Sequence, residues 1–496
     1  MTNTASTPSM IQMFENVVNK WSTKKIIKKL SEYCEKDGAS RLEVALELYV
    51  GVRKDACLKC KLAKRFISSL IRLGGGSFGA SEEQIKEKFR DKYWRKGLAN
   101  VIKGLGVFGV HKPFIPGAPF QVVWDITYAC NLKCKHCYAN AGEKLRDELT
   151  TSEAKQVIDK LAKMGVVILA FSGGEPLVRH DFYEVAKYAS DKGLYVAVAT
   201  NGTLINKETS KKLKEAGVQY LQISLDGASA KTHDSFRGVN GAFERTIQGI
   251  KNAVEEGFFV SVATTATKLN YHEIPKIIEL CEELNVNWFM MYNFVPTGRG
   301  RFILENDLTP DEREELLEQL WEKLKTSNVS VLSTAPQFAR VALEAEDATV
   351  IPTHFYNPNL PNQLRSLSDF IGGCGAGRFY MAIKPNGDVI PCVFFPLVVG
   401  NVRKDDLEDL WLNSPVFRTL RERDILQGSC GTCPYRYVCG GCRARAFGYF
   451  NEITAPDPGC VRNLAFYNRL KAELLTETFQ PIKEGKAPEP IHTTRL

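Results

Sequence analysis

The chain predicts an α/β protein: a partial (β/α)6 TIM-like barrel with an N-terminal helical segment and a small cysteine-rich C-terminal domain. Three observations carry this. Apolar, β-branched runs at 122–127, 166–171, 195–200, 219–224, 258–264 and 287–293 alternate with helical patterns, the rhythm of a parallel sheet. Gly165, Gly193, Gly217 and Gly257 each stand between a helical pattern and the next strand, where the residue past a helix end turns left-handed. Seven of the fourteen cysteines crowd into residues 374–460. Six strand–helix units fall short of a closed eight-fold barrel, so a partial one is expected, with its chemistry at the C-terminal strand ends.

Taken in order, residues 1–119 read as a basic helical region. Ser81 and Gln84 form a capping box, after which Ile85, Phe89, Trp94, Leu98, Val101, Ile102 and Leu105 recur at helical spacing in one amphipathic helix. Its opposite face carries Lys86, Lys88, Arg90, Lys92, Arg95 and Lys96. Such a helix either packs its apolar stripe on the neighbouring domain or lies in a membrane interface, and packing is the commoner outcome. The stretch GLGVFGVHKPFIPGAPF that follows is rich in Gly and Pro and reads as a linker. The barrel is expected over 120–332, a bridging segment over 333–373, the cysteine-rich domain over 374–479 and a polar tail over 480–496.

With 44% hydrophobic and 25% charged residues among 496, the chain can bury a large core and form two or three domains. Net charge is +8, but residues 1–120 alone carry +11, leaving −3 for the remainder. The cysteines cluster at ligand-like spacings, which argues against a secreted disulfide scaffold. No export signal is evident at the N-terminus and no apolar run is long enough to span a bilayer. A reducing cytoplasmic setting is therefore expected, with peripheral contact of the basic front at the inner membrane surface as the alternative to packing. A non-catalytic metal protein docking nucleic acid through its basic helices is the non-enzymatic alternative.

The strongest chemical signal is Cys130-x3-Cys134-x2-Cys137, followed by Tyr138, just after the first barrel strand. Three thiolates on one short loop leave one iron of a four-iron cube open to a small molecule, whereas zinc would need a fourth ligand from elsewhere. The second strand ends in Ser172-Gly173-Gly174-Glu175-Pro176, where the absence of Cβ atoms lets a polar ligand approach the backbone. The third ends in Thr200-Asn201-Gly202 and the fourth in Ser224-Leu225-Asp226-Gly227, with Arg237 a little further on. Each of these is also an ordinary turn former. Pro296, Gly298 and Arg299 follow the sixth strand.

Together these motifs resemble the radical S-adenosylmethionine (radical SAM) superfamily. The resemblance implies a [4Fe-4S] cluster on Cys130, Cys134 and Cys137 that chelates SAM, whose reductive cleavage yields a 5′-deoxyadenosyl radical. It implies that Gly173, Gly174 and Glu175 receive the SAM amino group and that Ser224 and Arg237 partner its polar end. Tyr138, Pro176, Thr200, Asn201 and Asp226 complete the expected cofactor-binding set, and the segment around Arg299 is similar to one beside the adenosine. The order Cys374, Gly387-x4-Cys392, Cys430-x2-Cys433-x5-Cys439-x2-Cys442, Cys460 resembles the SPASM extension, which holds two auxiliary [4Fe-4S] clusters. By resemblance, Cys430, Cys433, Cys439 and Cys460 hold one, and Cys374, Cys392 and Cys442 the other, one ligand short. A zinc ribbon is the alternative, although a five-residue gap is short for a knuckle pair.

The implied enzyme takes an electron from a reductant such as ferredoxin or flavodoxin and activates a C–H bond of a bulky substrate: a peptide or protein first, with a membrane lipid or isoprenoid and a tetrapyrrole as alternatives. Cys57-x2-Cys60 lacks a second pair nearby in sequence and, with Cys34 and Cys281, reads as apolar packing. His136, between two of the cluster cysteines, reads as plain loop.

Overall fold

The computed structural model of the chain describes residues 16, 18–77, 81–345, 370 and 372–468. The N-terminal region folds around its own core, from α1 (Trp21–Leu30) through a two-residue hairpin, β1 (Tyr33–Cys34) and β2 (Ala39–Ser40), to α2 (Arg41–Val50) and α3 (Leu58–Ser77). Ser40 starts α2 with a capping box to Glu43, and Ile27, Leu42, Leu46, Ile67 and Ile102 are buried together. The single helix expected after Ser81 is two, α4 (Glu82–Lys88) and α5 (Lys92–Phe108). The capping box is present, but Asp91 restarts the helix by accepting from the Tyr93 and Trp94 N–H groups. Inward residues of α5 pack into the core, and Lys96 Nζ donates to the Gly193 carbonyl at 3.3 Å.

The expected linker is a packed strap. Its first residues complete α5, where a Cβ on Gly104 would lie 2.3 Å from the Ile115 carbonyl oxygen. Ile115 and Ala118 are buried, and Trp411 Nε1 donates to the Pro116 carbonyl. Glycine and proline here permit close approach of backbones, a use that composition does not distinguish from flexibility.

The barrel strands are β3 (Gln121–Thr127), β4 (Ile168–Gly173), β5 (Tyr195–Thr200), β6 (Val218–Ser224), β7 (Phe259–Ala266), β8 (Trp288–Asn293) and β9 (Ser330–Ser333). All are parallel and adjacent in sequence order. Helices α6 (Thr151–Met164), α7 (Phe182–Asp191), α8 (Lys207–Glu215), α9 (Ala230–Arg237), α10 (Ala242–Glu255), α11 (Ile274–Glu283) and α12 (Pro310–Thr326) connect them. Gly165, Gly193, Gly217 and Gly257 have φ of +96°, +77°, +77° and +76°, as their helix-end positions require. Two strands exceed the expected six: β9, too short to stand out in sequence, and β10 (Tyr380–Ile383), which pairs in parallel with β3 on its other side.

The C-terminal region therefore shares the barrel sheet, extending it through antiparallel β11 (Asp388–Ile390) and β12 (Gly400–Asn401). The ten-stranded order runs β12-β11-β10-β3-β4-β5-β6-β7-β8-β9, an open barrel. Helix α13 (Gln337–Glu344) occupies the start of the bridging segment, and α14 (Leu407–Asn413), α15 (Pro415–Arg421), α16 (Gly428–Thr432) and α17 (Arg443–Phe450) follow β12. Residues 346–369 and 371 of the bridge, 469–479 of the expected cysteine-rich domain and the tail at 480–496 lie outside the described residues. Among the described residues, no helix is long and apolar enough to cross a membrane.

Candidate active site

The cysteine loop leaves β3 at its C-terminal end and is fastened on three sides. Glu148 Oε1 accepts from Thr127 Oγ1 and from the Tyr128 and Leu145 N–H groups at 2.8–3.1 Å. The Lys133 and Lys135 N–H groups donate to carbonyls of Arg237 and Phe236 at the end of α9. Arg299 donates from Nε to the Cys134 carbonyl at 2.9 Å and from Nη1 to that of Ala141 at 2.7 Å. Arg299, expected beside adenosine, thus clamps this loop and also lines the cavity of the site.

Each sulfur of the loop meets an N–H donor. Cys130 Sγ accepts from Leu132 N at 3.4 Å, Cys137 Sγ from Ala141 N at 3.3 Å and Cys134 Sγ from Arg237 Nη1 at 3.6 Å. Donors to sulfur favour thiolates. Burial works the other way on a free thiol, pushing Cys130 up to about 12. A donor set that welcomes thiolates where bare thiols keep their protons fits a bound metal cluster.

Gly173 and Gly174 explain how β4 reaches this loop. The Gly174 and Glu175 N–H groups donate to the Thr127 and Ala129 carbonyls at 2.7 and 2.9 Å. A Cβ on Gly174 would sit 2.2 Å from the Ala129 oxygen, and one on Gly173, at φ +126°, 2.3 Å from that of Thr127. Glu175 is fully buried behind the turn. It accepts from Thr200 Oγ1 and Leu177 N on Oε1 and from Asn201 N on Oε2, tying the β4 and β5 ends together. Asn201 Nδ2 in turn donates to Asn131 Oδ1 at 2.8 Å, inside the cysteine loop.

Arg237 bridges the cluster loop and β6: Nη2 lies 2.5 Å from Asp226 Oδ2 while Nη1 reaches Cys134 Sγ. His136 is no plain loop residue. Its ring stacks on Phe236 at 4.3 Å, with Nε2 3.7 Å from Asp226 Oδ2, and burial holds it well below the usual imidazole range. Tyr138 Oη donates to Asp125 Oδ1 at 2.9 Å and lies 3.0 Å from Ser172 Oγ. Burial pushes the Asp125 carboxyl up to about 7.

A cavity of about 200 Å³ opens against this assembly. Of the expected residues, Cys130, Cys134, Cys137, Tyr138, Gly173, Gly174, Thr200, Asn201, Ser224 and Arg237 line it. Glu175, Pro176 and Asp226 stand behind its wall, all three buried. Tyr292, Phe294, Val393 and Phe394 add apolar and aromatic lining, Phe394 meeting Tyr138 ring to ring at 5.0 Å, and Cys392 lines the cavity too. An adjoining smaller cavity is bordered by Cys374, Cys392 and Cys442, so Cys392 belongs to both. Tyr380 Oη donates to Cys392 Sγ at 3.1 Å.

Of the remaining C-terminal cysteines, Cys430, Cys439 and Cys460 gather separately. Burial pushes Cys439 well up, and the Cys460 and Cys430 thiols add to it. Cys430 Sγ accepts from Asp457 N at 3.5 Å and Asn463 Nδ2 at 3.6 Å, and Cys433 closes α16. The guanidinium of Arg423, 2% exposed, lies between the two cysteine groups: Nη2 donates to the Cys374 carbonyl, and its charge interacts with Cys374, Cys439 and Cys430. Its Nε and Nη1 have no hydrogen-bond partner among the described residues. A buried, half-satisfied cation beside clustered thiols fits anionic iron–sulfur groups. The Cys134-x2-Cys137 spacing marked the place of His136 but not its stacking on Phe236, whereas Tyr380 and Arg423 carried no sequence signal: the β10–β3 pairing brings Tyr380 to the site, and Arg423 lies in the bend after α15.

The radical SAM superfamily matches residues 124–281, and an iron–sulfur cluster-binding (SPASM) domain matches 374–434. The AdoMet-dependent heme synthase of Methanosarcina barkeri is 39% identical over 350 residues, 69% of this chain and 97% of the relative. The mycofactocin maturase MftC of Mycobacterium tuberculosis is 32% identical over 351 residues, 70% of this chain and 83% of the relative. Streptococcus suis SuiB bound to its precursor peptide SuiA superposes with TM-score 0.60 at 19% identity, covering 85% of this chain and 91% of that one, a likeness of fold.

Proposed function

The chain belongs to the radical SAM superfamily, an enzyme with a SAM-binding [4Fe-4S] cluster, SAM and auxiliary clusters, and from that premise we propose that it oxidises a C–H site on the side arm of a bulky substrate, a tetrapyrrole. The observation that carries the oxidation is that one cavity is lined both by Cys130, Cys134 and Cys137 and by Cys392. When bound, the groups supply reductive cleavage of SAM to methionine and a 5′-deoxyadenosyl radical, hydrogen abstraction, and an acceptor for the electron left on the substrate.

The residues then divide the work. Cys130, Cys134 and Cys137 hold the SAM cluster. The Gly173 and Gly174 backbone and Ser224 receive the polar end of SAM. Glu175, Thr200 and Asn201 fix that turn, and Arg237 with Asp226 orients Cys134. Cys374, Cys392 and Cys442 hold one auxiliary cluster, and Cys430, Cys433, Cys439 and Cys460 the other. Tyr292, Phe294, Val393 and Phe394 exclude water and grip an apolar portion of the substrate, as a reactive alkyl radical requires. The electron comes from a ferredoxin or flavodoxin of the cytoplasm.

The tetrapyrrole reading rests on the heme synthase relative at 39% identity; the maturase at 32% supports a peptide as the second reading. The test is anaerobic, reduced protein with SAM and side-chain-deuterated iron porphyrins in one arm and deuterated peptides in the other. Deuterium in 5′-deoxyadenosine from the porphyrin alone is expected; deuterium only from the peptide would overturn the substrate. A membrane contact is favoured by exposed Trp21, Ile26, Leu58 and Leu62 near the basic residues of α1 and α3. Stronger binding to anionic than to neutral vesicles, lost on removing residues 1–110, is the expected result, and equal binding to both would contradict it.

A further inference from the structure

The cysteines that read as isolated apolar residues in sequence meet in the N-terminal region. Ligand atoms of Cys34, Asp37, Cys57 and Cys60 all lie within 4.8 Å of one another. We propose that these four side chains form a closed, tetrahedral zinc site, separate from the iron–sulfur chemistry of the barrel.

Two chain segments deliver the ligands in matching halves. In the hairpin, Cys34 ends β1, and the Asp37 and Gly38 N–H groups both donate to its carbonyl at 3.1 and 2.8 Å. Gly38, at φ +73°, closes this turn and brings Asp37 back beneath Cys34. Cys57 stands at the start of α3, its carbonyl accepting the first helical bond from Lys61 N at 3.0 Å, and Cys60 follows in the first turn. A helix start presents unpaired N–H groups and a positive dipole end, which favour thiolates.

The distances match one metal ion. A tetrahedron with zinc–sulfur bonds of about 2.3 Å has sulfur–sulfur edges of about 3.8 Å, and with a zinc–oxygen bond of about 2.0 Å a sulfur–oxygen edge of about 3.5 Å. Cys34 Sγ lies 3.7 Å from Cys57 Sγ and 3.3 Å from Asp37 Oδ2. A disulfide bond is about 2.05 Å, so the thiols are spaced as co-ligands. Three thiolates and one carboxylate are within the donor set that zinc accepts.

The surroundings support a charged site that is nonetheless enclosed. Cys34 and Cys60 pack with Val44 and Leu48, and the Asp37 side chain is 7% exposed. Asp37 accepts from Cys57 N on both oxygens, at 3.2 and 3.3 Å. Arg53 approaches from outside, Nη1 4.0 Å from Asp37 Oδ1 and Nη2 donating to the Asp37 carbonyl. That cation and the helix end offset the net negative charge of three thiolates and a carboxylate around a divalent ion. All four positions are filled by protein, so the site is structural: it fastens the hairpin to α3 across the irregular stretch between α2 and α3.

The test uses the full-length protein purified anaerobically, with total metal analysis and zinc-edge X-ray absorption, which does not see the iron. One zinc per chain is expected, with a shell of three sulfurs and one oxygen. Asp37→Cys should keep the zinc and convert that shell to four sulfurs. Cys57→Ser with Cys60→Ser should lose the zinc, leave the iron content unchanged and speed proteolysis of the N-terminal region roughly tenfold. Should the double variant fail to fold, the wild-type and Asp37→Cys spectra decide. Absence of zinc, zinc without a sulfur shell, a single iron in its place, or a Cys34–Cys57 disulfide in the purified protein would each overturn the proposal.

Discussion

The barrel loop and the N-terminal region both gather three cysteines, and they arrange them for opposite purposes. Cys130, Cys134 and Cys137 come from one loop, line a cavity and are joined there by glycine backbone and apolar walls. Cys34, Cys57 and Cys60 come from two segments, are joined by Asp37, and close on themselves within 4.8 Å. A set of three facing open space leaves a coordination place for a reactant, whereas a set of four facing inward leaves none. The number of cysteines does not separate the two; what surrounds the sulfurs does.

The sharpest way to break this contrast is to remove a ligand from the open set. Cys134→Ala should lower 5′-deoxyadenosine formation at least a thousandfold, about 4 kcal/mol in the barrier, and remove about four irons per chain. An unchanged yield by chromatography would place SAM elsewhere. Next comes Gly174→Ala, whose Cβ would meet the Ala129 oxygen at 2.2 Å. The displaced turn should reduce deoxyadenosine formation roughly a hundredfold, as a misplacement of about 1 Å does, with the iron count unaltered.

A third test concerns Asp125, which burial holds at about 7 beneath Tyr138. The raised value means the native state keeps a proton that the unfolded chain has already lost, so this contribution is full below the ordinary carboxylate range and fades as pH rises through 7. Between about pH 5.5 and about pH 7.5, the wild type should lose about 2 kcal/mol of stability relative to Asp125→Asn. Denaturant midpoints of the two proteins at both pH values measure it; parallel curves would contradict it. The smallest effect is expected in the closed set: Asp37→Cys should leave deoxyadenosine formation within about twofold of wild type, since a structural site supports folding, not turnover.

Much of the barrel was legible because its information is local. The six expected strand runs agree with β3–β8 to within a residue or two at most ends, and four helix-end glycines marked the repeats. The cysteine loop and the Gly173-Gly174 turn were legible because spacing along one short segment is itself the geometry. What stayed hidden depends on pairing between distant segments. Strand β10 joins β3 across more than 250 residues, so the sharing of one sheet by both cysteine-bearing regions, and with it the place of Tyr380 beside Cys392, could not be read from either stretch. The meeting of Cys34 and Asp37 with Cys57 and Cys60 depends on how a hairpin docks on a helix start. The strap before β3 reads as a linker in sequence because glycine and proline serve close packing as readily as freedom.

Electron paramagnetic resonance of the anaerobically reduced protein, with and without SAM, tests the open-set account most directly, with 5′-deoxyadenosine measured in the same samples. SAM should alter the spectrum of the wild type and release 5′-deoxyadenosine, and in Cys134→Ala it should do neither. A wild-type spectrum indifferent to SAM, with no 5′-deoxyadenosine released, would contradict the account.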